Sequence, residues 1–180
     1  MTKTTREAII DAASLLITQT HSATVSLTQV ADSLDITHAT IYRYFDDKQG
    51  LWQAVAQDWF HQNIIAKISV SQTASRQQQL HDWLWGFANA KRNAYRQNPS
   101  MFALNTTYID NDPRALKQVL QEAANQIDTI MGYHDPHHEQ SNAILSAFAV
   151  FALPNFKEVW FDDDYTDRFE RLWSLIAPGI

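Results

Sequence analysis

A chain of 180 residues with 45% hydrophobic side chains can bury a real core and reads as globular, while its net charge of −6 argues against indiscriminate nucleic-acid binding. The absence of cysteine excludes disulfide and thiol chemistry, no run approaches the roughly 18 apolar residues of a membrane span, and the opening MTKTTREAII lacks the apolar core of a signal peptide, so a cytoplasmic protein with no membrane partner is expected. With four glycines among many Ala, Gln and Leu residues, the expected fold class is all-α.

The first helix is predicted from about Thr4 to Gln19, with Ile9, Ala13, Leu16 and Ile17 as its buried stripe. Lys3 and Arg6 at its start read either as contacts to a DNA backbone or as ordinary solvated charges. After the polar link from His21 to Thr24, Ser26 and Gln29 have capping-box spacing, in which hydroxyl and amide each satisfy a free backbone donor, so a helix begins there. Leu27, Val30, Ala31 and Leu34 recur at i, i+3, i+4 and i+7 on one face of it. Asp35 tolerates a left-handed turn, Ile36 reads as buried, and Thr37 can cap a second helix in which Ile41 and Phe45 point inward. Thr37, His38, Thr40, Tyr42, Arg43 and Tyr44 are left facing out or flanking. A helix, a tight turn and a helix with this polar, aromatic and basic outer face is a unit that sets its second helix into the DNA major groove.

The stretch from Ser26 to Lys48 resembles the helix-turn-helix of the TetR-type bacterial transcriptional regulators. The likeness rests on Ser26 as cap, Val30-Ala31 in the first helix, Asp35-Ile36-Thr37 in the turn, and Thr40-Ile41-Tyr42-Arg43-Tyr44-Phe45 ahead of Lys48. It extends back through TREAIIDAASLLITQ and forward to Leu51 and Val55; beyond that only the helical pattern agrees. Two departures from the family stand out, at three positions. Asp35 stands where glycine is usual, at a cost of about 1 kcal/mol in a left-handed conformation, and Asp46 and Asp47 lower the positive potential beside Lys48. The resemblance implies an N-terminal three-helix head at residues 1–48 that binds DNA, and a C-terminal helical ligand-binding and dimerisation domain at residues 49–180.

Further helices follow by periodicity and punctuation. One starts at Asp46 or Asp47 and carries Leu51, Trp52, Val55, Trp59 and Phe60; the polar stretch Ser69 to Gln79 contains the next break. HDWLWGFANAKRNAYRQ then reads as a helix with Leu80, Trp83 or Leu84, Phe87 and Tyr95 inward, ended by Asn98-Pro99. A short helix is expected over Pro99 to Tyr108, and a longer one after Asn111-Asp112-Pro113 to about Met131, with Leu116, Val119, Leu120, Ile127 and Ile130 inward. GYHDPHHE reads as a loop, Ile144 to Phe151 as an apolar helix stopping at Pro154, and the segment after Asp162 to Asp164 as the last helix.

Among candidate site residues, Tyr42 and Lys48 are expected to contact phosphates, with Ser26 and Thr28 adding hydroxyl or backbone contacts unless Ser26 serves only as a cap. His38, Thr40, Arg43 and Tyr44 are candidate base readers, Ala39 is small enough to touch a thymine methyl, Thr37 flanks them, and Tyr44 has packing as its alternative. The first 50 residues hold four cations, Lys3, Arg6, Arg43 and Lys48, against six carboxylates, so few phosphate contacts and a modest salt dependence are expected. His134, Asp135, His137, His138 and Glu139 can be written as metal ligands but are more simply a loop and helix start, since a metal site draws on separated elements; no metal and no cofactor are expected. No nucleophile-base pair, phosphate-cradling glycine loop or HExxH helix supports catalysis.

The resemblance implies a small-molecule effector, for which Trp83, Phe87, Met101, Phe102, Tyr108 and Met131 are candidate pocket residues. It also implies a homodimer built on the last two helices, through Ile144, Phe148, Phe151, Phe169, Leu172, Trp173 and Ile176. The expected function is a DNA-binding transcriptional regulator, a homodimeric repressor released from a palindromic double-stranded DNA operator by an unidentified effector. The alternatives are a ligand-independent DNA-binding dimer, or a helical small-molecule or metal-binding protein whose helix-turn-helix is vestigial.

Overall fold

The computed structural model describes residues 4–180, and all regular structure among them is helical, as the composition leads one to expect. The helices are α1 (Arg6–Thr20), α2 (Leu27–Ser33), α3 (His38–Tyr42), α4 (Lys48–Asn63), α5 (Arg76–Gln97), α6 (Pro99–Asn105), α7 (Pro113–Met131), α8 (Glu139–Ala147) and α9 (Tyr165–Ile176). They fall into two compact units. One holds the described residues through Gln62 together with Ala94–Leu116; the other holds Asn63–Asn93 and Lys117–Ile180.

In the first unit α1 begins where Thr5 Oγ1 accepts a hydrogen bond from Ala8 N at 3.2 Å, and ends at left-handed His21, whose N–H returns to the Ile17 carbonyl. Ile9, Ile10, Ala13 and Ile17 are buried, and α1 packs on α2 and α6. Leu16, expected inside, is half-exposed, because contact with two neighbours turns the buried stripe toward Ile10. Each fully buried isoleucine contributes about 1.5 to 3 kcal/mol of transfer free energy. The α4 helix buries Leu51, Trp52, Val55, Trp59 and Phe60, every apolar position expected of it, and adds Ala54 and Ala56. Asn98 caps α6 by accepting from Met101 N at 3.2 Å. After Asn105 the backbone widens into a π turn over Thr106–Asp110, closed by Asn111 N donating to the Thr106 carbonyl at 3.0 Å. Asp112 then serves two elements: Oδ1 accepts from Arg114 N and Ala115 N at the start of α7, while Oδ2 accepts from Gln53 of α4 at 3.1 Å.

In the second unit α5 begins at Arg76 rather than at His81. Gln77, Gln78 and Gln79 are good helix formers with no apolar periodicity to announce them, and Gln78 N is met by Ser75 Oγ at 3.2 Å. Along the part of α7 in this unit Ala123 and Ala124 join Val119 and Ile127 in the core, while Leu120 and Ile130 are half-exposed; Ala115, buried, and Leu116, half-exposed, belong to the first unit. The helix ends at Gly132, whose φ of 73° lets Gly132 N and Tyr133 N both donate to the Asp128 carbonyl.

The α8 helix stops at Ala147, short of the expected Phe151. Short 3₁₀ turns over Ala149–Phe151 and Pro154–Val159 follow it, and Leu153, held extended at ψ 134° ahead of Pro154, separates the two. Over this stretch Trp160 Nε1 donates to the Val150 carbonyl at 3.1 Å and Tyr165 OH to the Phe151 carbonyl at 3.3 Å. Phe169 of α9 is fully buried, its ring 4.8 Å from Trp85, 5.0 Å from Phe148 and 5.3 Å from Phe151. Four residues expected at a dimer surface, Ile144, Phe148, Phe151 and Phe169, are therefore buried within their own unit. Leu172, Trp173 and Ile176 are half-exposed, and Leu175 is 80% exposed.

Candidate nucleic-acid interface

The candidate site is built by α2, a tight turn and α3. Ser26 sits in extended backbone, its Oγ accepting from Gln29 N at 3.2 Å, while Gln29 Oε1 accepts from Ser26 N at 2.8 Å and from Ser26 Oγ at 3.0 Å. Both arms of the capping box are made, so the Ser26 hydroxyl proton is already committed. The α2 helix buries Leu27, Val30 and Ala31 and leaves Leu34 half-exposed.

The turn closes through two backbone bonds, Ile36 N to the Ala31 carbonyl at 3.0 Å and Asp35 N to the Asp32 carbonyl at 3.2 Å. This is a Schellman ending, and it requires a left-handed residue at Asp35, whose φ is 52°. Ile36 itself is half-buried. Thr37 caps α3 by accepting from Thr40 N at 3.3 Å, and Ile41 and Phe45 are buried beneath the helix.

The outer face carries His38, Ala39, Tyr42 and Arg43, all exposed, with Thr40 and Tyr44 half-exposed. Tyr44 OH donates to the Thr4 carbonyl at 2.5 Å, which ties the end of α3 to the segment before α1. The Arg6 guanidinium stacks 4.9 Å over the Phe45 ring, so this cation packs against the chain's own aromatic; Lys3 lies outside the described residues. Asp47 Oδ1 accepts from Gly50 N at 2.7 Å and caps α4. Thr28 and Lys48 at the starts of α2 and α4 are exposed. The outward set can offer a guanidinium, an imidazole and a methyl group to base edges, and an ammonium, phenol and hydroxyls to phosphates.

The candidate pocket residues divide between the units. Trp83 and Phe87 stack in the second unit with centroids 5.3 Å apart, and Met131 is half-buried there, whereas Met101, Phe102 and Tyr108 belong to the first. In the second unit a cavity of about 350 Å³ lies between Ile68–Gln72, α5 and α7, with Trp83 in its wall. Trp83 Nε1 donates to Gln126 Oε1 at 2.7 Å, and Ser69, Gln72, Gln126 and Thr129 give that cavity its polar groups. Gln126 carried no apolar or motif signal that sequence periodicity detects.

In the 132–139 loop, Asp135 accepts from His137 N and Glu139 N, and these bonds hold its carboxyl below the usual value. His138, itself left-handed, places Nδ1 2.5 Å from Asp128 Oδ2, and Ser141 Oγ donates to the other Asp128 oxygen. The polar atoms of this loop knit it to α7 and α8, and no three described His, Asp or Glu side chains converge as metal ligands. Elsewhere in this unit His81 of α5 lies 3.1 Å from both Glu170 oxygens on α9 and 3.1 Å from Asp82, whose carboxyl its hydrogen bond holds below the usual value.

Residues 9–55 match the family model described as bacterial regulatory proteins, tetR family. No curated protein matches the chain in sequence. Among solved structures the fold is similar to that of BioQ crystallised with its double-stranded DNA operator, with TM-score 0.66 and 16% identity over 98% of this chain and 99% of that one. It is similar also to a TetR transcriptional regulator from Rhodococcus sp. RHA1, with TM-score 0.61 and 21% identity over 95% and 94% of the two chains. A third likeness is to the fatty acid degradation regulator FadR from Bacillus halodurans, with TM-score 0.58 and 16% identity over 98% and 96%. At these identities the likeness to solved structures establishes the fold.

Proposed function

We propose that this chain, a DNA-binding transcriptional regulator of the tetR family, works as a cytoplasmic homodimeric repressor that leaves a palindromic operator when a small molecule binds it. The observation that carries the reading is the outer face of α3, where His38, Ala39, Tyr42 and Arg43 stand exposed on a helix whose underside, Ile41 and Phe45, is buried. Arg43 would take a guanine, His38, Thr40 and Ala39 would read neighbouring bases, and Tyr42, Lys48, Ser26 and Thr28 would fix the backbone. Thr37 and Tyr44, which cap and tether α3, would set its angle more than touch bases.

A recognition helix as short as His38–Tyr42 reads only a few base pairs, so useful specificity calls for two heads on a two-fold axis. The partly open apolar face of α9, formed by Leu172, Trp173, Leu175 and Ile176, supports a dimer surface there. The cavity beside Trp83 and Gln126 supports a small effector with an apolar body and polar groups to meet Ser69, Gln72 and Gln126. Such a ligand acts by binding the geometry that does not fit the operator more tightly than the one that does. The mass of the chain in solution tests the dimer: the wild type should travel as two copies, and Leu175→Asp, at an exposed position, should weaken dimerisation about tenfold or more while leaving the helical signal unchanged. An unaltered dimer in that variant would remove α9 from the interface.

A further inference from the structure

A separate cavity of about 230 Å³ lies in the first unit, where the link from α1 to α2, the first turns of α4 and the π turn after α6 meet. Val25, Trp52 and Leu104, all buried, supply its apolar lining, and Thr24, Lys48 and Tyr108 stand around it with polar groups. We infer that this cavity is a binding site for a small carboxylate with an apolar body, the carboxylate meeting Lys48 and Tyr108 and the body lying against Trp52 and Leu104.

Several observations converge on that chemistry. No carboxylate of the described residues pairs with the Lys48 ammonium, and the Tyr108 hydroxyl has no hydrogen-bond partner among them. Asp47, the adjacent carboxylate, has Oδ1 engaged by Gly50 N at 2.7 Å. Two other hydroxyls at the cavity are already spent as donors, Ser26 on Gln29 and Thr107 on the Ala103 carbonyl. Lys48 and Tyr108 thus offer a cation and a phenol beside an apolar wall that also carries the Trp52 indole N–H, while Thr24 Oγ1 is paired with Ser22 Oγ at 2.9 Å; a cation with such neutral donors selects an acceptor-only anion. The volume is below the range of about 300 to 1,000 Å³ that holds drug-sized ligands, which limits the occupant to about one ring or a short chain. This site shares none of its lining with the cavity beside Trp83.

Binding here has a consequence that rests on the proposed DNA contacts. Lys48 would be shared between the carboxylate and a DNA phosphate, so the small anion would displace DNA by direct competition.

The first test needs no DNA. Benzoate and its neutral isostere benzamide are titrated into the full chain, and amide chemical shifts are followed. Benzoate should saturate at millimolar concentration or below, the scale of about nine heavy atoms in a small site. Its shifts should centre on Thr24, Val25, Lys48, Trp52 and Tyr108, with benzamide bound about tenfold or more weakly for want of the charge-assisted bonds. Lys48→Gln should lower benzoate affinity about tenfold and leave benzamide unchanged, and Tyr108→Phe should lower benzoate affinity by a smaller factor. Shifts that centre elsewhere, equal binding of the two probes, or undiminished benzoate affinity in Lys48→Gln would overturn the site. In a second arm duplex DNA is added at low salt: weaker apparent benzoate binding supports competition at Lys48, and unchanged binding overturns the competition while leaving the site itself standing.

Discussion

Residues on α3 divide by whether their functional atoms are free or spent inside the chain. Arg43 is exposed, and if it reads guanine, Arg43→Ala should cost about 1 to 3 kcal/mol on the preferred sequence and little on a scrambled one. Tyr42→Ala and Lys48→Ala should instead weaken binding to both duplexes alike, since phosphate contacts carry no sequence information. Anisotropy titrations on the two duplexes separate these patterns, and an operator affinity that survived all three changes would mean α3 is docked differently. Asp35 makes a different kind of contribution, through its backbone. At φ 52° it closes the Schellman ending on Ala31, and a β-branched side chain fits that region poorly, so Asp35→Val should lower stability by about 1 to 2 kcal/mol in denaturant unfolding. An unchanged midpoint would mean the turn can close another way.

At the scale of elements, the joint between α9 and the 3₁₀ segment before it depends on a buried phenol. Burial pushes the Tyr165 hydroxyl up to about 12, against the opposing pull of Arg92 and Arg168, and the hydroxyl donates to the Phe151 carbonyl. The folded protein thus keeps a proton that the unfolded chain releases near pH 10. Its contribution is complete below about pH 10 and is lost as pH rises toward 12. Tyr165→Phe should cost about 1 kcal/mol at neutral pH through the lost hydrogen bond, and should flatten the alkaline arm of the stability profile. An equally steep arm in the variant would assign the alkaline loss to other groups.

How far each element can be read from sequence follows from what shapes it. The Ser26–Gln29 box, the Asp35 turn, the Thr37 cap and the inward Ile41 and Phe45 are local consequences of a few adjacent side chains, and all are legible. The start of α5 is not, because Gln77 to Gln79 favour a helix without marking a face. The π turn after Asn105, closed by Asn111 N on the Thr106 carbonyl, and the 3₁₀ turns after α8, where Trp160 Nε1 reaches the Val150 carbonyl, leave no mark in apolar periodicity. The cavity at Lys48 joins residues from three separate stretches, so spacing alone reveals none of it. The aromatic cluster around Phe169 is in the same position: its periodicity marks an apolar face, but only the fold determines that the chain covers much of that face itself.

At the scale of the whole molecule, the net charge of −6 sets the terms on which this protein can hold DNA. Long-range attraction is weak, and Arg6 is stacked on Phe45, so affinity must come from a few well-placed contacts, made twice in the proposed dimer. Each phosphate neutralised by a cation contributes about −0.9 to the slope of log affinity against log salt, so an account with few such contacts predicts a shallow slope. Selection of bound sequences from random duplex DNA, followed by anisotropy at several salt concentrations, tests this most directly. Recovery of an inverted repeat, bound by two chains with a shallow salt slope and lost in Arg43→Ala, is the predicted result. Recovery of no common sequence, or only of steeply salt-dependent binding to any duplex, would contradict the assignment of α3 as a recognition helix.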